Sequence, residues 1–204
     1  MATKLFFFGV ILPFVSFAAF KISLIDVDPS DFPCHHQKQI KGDLEELFDF
    51  LVSPHALEKL LPWMRRLREA DKRIIAVGKS YKAELELPLF GGRTTFVTII
   101  DYKPSKFIVF EVSNDFLKQK IIIQLRGYHD RVLLIIDIHF RRNSVFFHYT
   151  IGYFFRRYLE NRLMNSMQNV ANVFESLERY QTFPNNNRLK YFIVKNKELR
   201  RVLK

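Results

Sequence analysis

Six short runs of alternating apolar and polar residues, at 73–77, 81–87, 94–102, 107–112, 120–127 and 132–141, constrain this chain more than any other feature. They are separated by Gly78-Lys79, Gly91-Gly92, Lys103-Pro104-Ser105, Asn114-Asp115 and His129-Asp130. A period of two is that of a strand with one buried face, and Gly, Pro, Asn and Asp are the residues that turn such strands back. A parallel crossover needs about a dozen residues, and these gaps are shorter, so the sheet is antiparallel. In the last run Val132, Leu134, Ile136, Ile138 and Phe140 share one side. In the run at 81–87, Tyr81, Ala83, Leu85 and Leu87 oppose Ser80, Lys82, Glu84 and Glu86.

After the sheet the period changes to 3.6. Residues 149–155 lead into a long helix ending near Leu177, with Phe155, Leu159, Leu163, Met167, Val170, Phe174 and Leu177 on one stripe. Each large apolar side chain gains about 1.5–3 kcal/mol on burial, so the stripe needs a partner surface, and the sheet's apolar face is the one large enough. Ahead of the sheet, residues 37–41 suit a short strand and Gly42 ends it. Asp43 then caps a helix over 44–51, and Ser53-Pro54 starts a second one reaching about Arg66, bent or ended early by Pro62. The fold class is therefore α+β.

The 204 residues suit one domain. Residues 1–20 read as a signal peptide, with Lys4, an apolar stretch from Leu5 and a small-x-small site at Ser16-Phe17-Ala18 that places cleavage after Ala18 or Ala19. The alternative is an uncleaved N-terminal anchor. Residues 21–35 form a lead-in rich in Asp and Pro, 36–180 the folded domain, and 181–204 a basic tail. Secretion or the secretory pathway is the expected location, with membrane anchoring as the alternative. Cys34, the single cysteine, permits no internal disulfide and suits a reducing compartment equally well. The net charge of +11 is concentrated late: from Arg156 onward 11 Lys/Arg face 4 Asp/Glu. Such a basic end fits an anionic membrane surface or a solvated face. Nucleic-acid binding is not expected, because no known nucleic-acid-binding motif accompanies the charge.

The order strand, two short helices, antiparallel meander, long helix is that of the helix-grip fold. Residues 40–63 (IKGDLEELFDFLVSPHALEKLLPW), 77–92 (VGKSYKAELELPLFGG), 101–112 (DYKPSKFIVFEV) and the closing amphipathic helix resemble the START/polyketide-cyclase-like (SRPBCC) superfamily. These motifs are diffuse hydrophobic patterns over about residues 40–178, and they carry a fold further than an activity. The resemblance implies a curved sheet wrapped on the helix, enclosing a cavity for lipids, sterols, polyketides or isoprenoid-like molecules. Most such relatives bind or carry, and fewer catalyse.

The expected cavity wall is Tyr81, Leu85, Phe96, Ile100, Phe110, Ile136, Ile138, Met167, Val170 and Phe174, with Met164 and Met167 as adaptable fillers. The bland alternative for each residue is core filling. Leu89, Phe90 and Gly91 form a wide apolar-tipped turn that could gate the cavity or be an ordinary hairpin. Tyr81, Thr98, Tyr102 and Ser166 are the hydroxyls expected on the inner side, whereas Asp101, Glu111, Asp137 and His139 fall on polar faces. No catalytic residue, metal site or cofactor is expected: no nucleophile, zinc or phosphate-loop signature occurs, and Cys34-His35-His36 are adjacent residues unable to form a tetrahedral cage alone. The leading expectation is a monomeric carrier of a hydrophobic small molecule. The alternatives are a cyclase-like or hydrolase-like enzyme using the same cavity, or a membrane-associated interaction protein.

Overall fold

The computed structural model describes residues 12–88, 91–113 and 116–182. Helix α1 (Leu12–Ser23) is followed by a 3-10 turn (Pro29–Asp31), strand β1 (Cys34–Lys41), helices α2 (Leu44–Leu51) and α3 (Pro54–Leu60), and strands β2 (Met64–Glu69) and β3 (Ser80–Leu87). Strands β4 (Gly91–Lys103), β5 (Phe107–Ser113), β6 (Gln119–Tyr128) and β7 (Arg131–Phe140) complete the sheet, and helices α4 (Val145–Tyr149) and α5 (Ile151–Thr182) follow. The seven strands lie in the order β1-β7-β6-β5-β4-β3-β2, every neighbouring pair antiparallel. The sheet curls into a half-barrel around α5, which is the helix-grip arrangement.

The caps work as the sequence indicates. The Asp43 carboxylate accepts from the Glu45 and Glu46 amides and starts α2; the Ser53 hydroxyl accepts from the Ala56 amide ahead of α3, with Pro54 in its first turn. Two expectations are corrected. The second helix stops at Leu60, not Arg66, because Pro62 blocks its continuation, and the freed residues Met64–Glu69 become the edge strand β2. The run at 73–77 is not a strand, since β2 already occupies the free edge of β3; Ile74 and Val77 are exposed there, and Ile75 alone packs on the core.

The α5 stripe Phe155, Leu159, Leu163, Met167, Val170 and Phe174 is buried in one continuous core with the inner face of the sheet. The far end of α5 is held against the β1–α2 corner, where Glu178 accepts from the Asp43 amide and Glu175 from the Lys41 amide. That approach needs Gly42, whose φ is +139° and where a Cβ would lie 2.2 Å from the Glu178 carboxylate and 2.6 Å from the Phe174 ring. At the other end Ser144 caps α4, and Gly152 lets α5 begin against the Phe147 carbonyl.

Candidate ligand-binding site

The inner face is built strand by strand. In β3, Tyr81, Ala83, Leu85 and Leu87 point inward, as the alternation indicates. In β4 the parity is the reverse of the expected one: Thr95, Val97 and Ile99 are buried, whereas Phe96 and Ile100 lie on the outer face, 43 % and 37 % exposed. A bulge between Ile99 and Asp101 then resets the strand so that Tyr102 turns inward onto Phe48, 5.9 Å between ring centroids. Thr98 shares the outer face with Ser80, their hydroxyls 2.9 Å apart. From the other strands Phe110, Ile136 and Ile138 point inward.

Leu85, Phe110, Ile136, Ile138, Met167, Val170 and Phe174 are all packed, Ile136 and Ile138 with no accessible surface at all. A side chain without accessible surface borders no water-sized void, so among the described residues no wide chamber opens against Ile136 and Ile138. The reason is size matching: β-branched and aromatic side chains from β1, β6 and β7 fill the space under the α5 stripe. Met164 is turned to solvent and takes no part.

A void does remain at the other end of the sheet, under α3 and β2. It measures about 10 Å³, room for roughly one water, and is lined by Leu57, Leu61, Met64, Leu67, Tyr81, Val97 and Phe110. Tyr81 and Phe110 were expected there. Leu57, Leu61 and Met64 fell inside the helix expected from Pro54 to about Arg66, Leu67 lay just past its end, and Val97 was hidden by the reversed parity of β4. Leu89 and Phe90 of the expected gate lie outside the described residues; Gly91, with φ +66°, opens β4 and is exposed.

Two ionisable groups on the inner side, Tyr81 and Cys34, have strongly raised pKa values. Burial, with smaller contributions from Glu69 and Asp71, pushes the Tyr81 phenol up to about 12. Its ring lies 5.5 Å from the buried Lys79 ammonium, which pairs with Glu69 at 2.7 Å and donates to the Arg73 carbonyl. Burial likewise raises the Cys34 thiol to about 12. Neither is a nucleophile or base near neutral pH. His36 and His35 face opposite sides of β1, His35 pairing with Asp137 at 2.6 Å. Among the described residues no group of three or more His, Cys, Asp and Glu could hold a metal ion.

A second concavity of about 330 Å³ lies on the outer face, lined by Pro29, Ser30, Lys120, Ile122, His139, Arg141 and Asn143. It is a polar surface groove, and Arg141 in it is already paired with Glu111.

No protein-family model matches the chain. No curated protein sequence matches it either. Similarity appears in three dimensions. A protein of Arthrobacter aurescens solved by NMR superposes with a TM-score of 0.55 at 10 % identity, over 76 % of this chain and 92 % of its own. A Thermus thermophilus protein gives 0.55 at 6 % identity, over 69 % and 94 %. The di-domain ARO/CYC StfQ from the steffimycin biosynthetic pathway gives 0.55 at 14 % identity, over 75 % of this chain and 54 % of StfQ. At these identities the likeness establishes the fold: this is a helix-grip protein.

Proposed function

We propose that the chain is a divergent member of the START/polyketide-cyclase-like superfamily that binds a hydrophobic small molecule between α3, β2 and the inner sheet face. The observation that carries this reading is the void under α3 and β2, walled by apolar side chains with one phenol, at a corner where helix and sheet do not fully close. A water-sized void does not admit a lipid or sterol, so binding requires α3 and β2 to move outward, with Tyr81 orienting a polar end of the ligand. The fold shared with an ARO/CYC protein supports a ligand-binding role. Tyr81, the one ionisable group in the wall of the void, stays protonated near neutral pH, which suits orienting a ligand.

The test is native mass spectrometry of the gently purified full chain, combined with titration of fluorescent fatty-acid and sterol analogues. An apolar adduct or saturable binding is expected, and Val97→Phe, which fills the void, should weaken it at least tenfold. A bare protein that binds neither probe sinks the proposal.

A further inference from the structure

Helix α1, LPFVSFAAFKIS, has no polar face, and helices of that kind are normally enclosed by protein or lipid. The described residues do not enclose this one. Phe14, Phe17 and Phe20 are 71 %, 59 % and 59 % exposed, and only Ala18, Ala19 and Ser23 turn toward the rest of the molecule. Nor does it dangle. Its C-terminal end is fastened to the segment after β7: the Val27 amide donates to the Asn143 carbonyl at 2.6 Å, the Val145 amide to the Ile25 carbonyl at 3.0 Å, and the Ser144 hydroxyl to the Ser23 carbonyl at 3.1 Å. These bonds set α1 beside α4, which with the first turn of α5 exposes Tyr149, Tyr153 and Phe154. Exposed aromatic side chains from two distant parts of the sequence are thus carried on neighbouring helices.

The helices themselves present basic side chains. Neither α1 nor the first turn of α5 carries an acidic residue. Lys21 lies 5.6 Å over the Phe17 ring, and the Arg157 side chain is 70 % exposed and shares only a 3.4 Å contact with Glu160. The acids nearby are Glu160, paired with Arg157, and Asp26, Asp28 and Asp31 of the lead-in, of which Asp26 is bridged to Ser144 through its backbone and Asp28 accepts from the Ser30 amide. Phenyl rings flanked by Tyr and basic side chains are the composition of a surface that inserts at the acyl–headgroup boundary of an anionic bilayer. Among the described residues no helix is long and apolar enough to cross a membrane.

We infer that α1, α4 and the start of α5 form a single membrane-docking platform for anionic lipid surfaces. It hangs from the β7 side of the sheet, away from the void under β2, so it stands independently of the ligand reading. The test is co-flotation of the full chain with phosphatidylcholine vesicles, with and without about one-third phosphatidylglycerol. Strong flotation is expected with the anionic vesicles, falling at least tenfold with zwitterionic ones. Phe17→Ser/Phe20→Ser and, separately, Tyr153→Ser/Phe154→Ser should each lower it at least fivefold with the circular dichroism spectrum unchanged. Flotation that survives the Tyr153/Phe154 change, absence of flotation, a dimer in sedimentation that the α1 variant dissolves, or a mature N-terminus beginning within α1 would each overturn it.

Discussion

Two residues tie the grip helix to the rest of the molecule. Gly42 adopts a positive φ and leaves no space for a Cβ beside Glu178 and Phe174. Gly42→Ala should therefore cost about 2 kcal/mol or more in urea unfolding, combining backbone strain with displacement of the α5 end. His148, fully buried, is the second. Its Nε2–H donates to the Arg142 carbonyl while Nδ1 accepts from the Arg156 guanidinium at 3.2 Å, a pairing open only to the neutral ring. Phe32 stacks on it at 4.5 Å and Tyr149 closes on Phe32. Burial holds its pKa below the ordinary value of about 6.5, and Arg156 pushes the same way. The unfolded chain takes up this proton near pH 6.5 and the folded one only at lower pH, so stability is full above about 6.5 and declines as the pH falls toward the folded value. Urea midpoints at pH 7.5 and 5.0 should differ, and His148→Gln should shrink the difference. An unchanged difference would assign the proton uptake elsewhere.

At the scale of elements, the α5 stripe makes a sharp distinction between adjacent positions. Leu163→Ala should destabilise by about 2–5 kcal/mol, whereas Met164→Ala, on the exposed side, should change thermal stability little. The stripe was legible because α5 runs long enough for a 3.6-residue period to be unambiguous, β3 to β7 were legible because each alternates against a turn, and β1 was read in its second half, 37–41. What the sequence concealed has physical causes. A bulge shifts alternation without changing composition, so Ile99 and Tyr102 both point inward although they are three residues apart. Leu60-Leu61-Pro62 continues a helical spacing up to the point where proline ends it, and the strand beyond reads as more helix. Ile74-Ile75 has strand composition but finds no free edge. The site inherited these errors, since Val97, Met64 and Leu67 stand at the misread places.

Across the whole molecule the sheet has one strong and one weak side. β7 pairs along its length with β1 and with β6. β2 at the opposite edge makes two short stretches of pairing with β3, broken by a bulge between Arg65 and Arg68, with Arg66 at φ 52°. Two of its charged contacts, Arg65 with Glu86 and Arg66 with Glu84, are exposed pairs that contribute at most about 1 kcal/mol each, and only Glu69 at its end pairs with a buried partner, Lys79. The void lies directly beneath this edge. A helix-grip protein that must open to admit a ligand will do so where the free energy of local opening is lowest. Hydrogen exchange should therefore show β2 amides exchanging at least tenfold faster than those of β6 and β7. A bound apolar probe should slow exchange in α3 and β2 together, since both must close over it. If β7 or the middle of α5 opens first, or if a probe protects those elements and leaves β2 unchanged, the route into the core lies elsewhere and the ligand contacts must be sought along the helix.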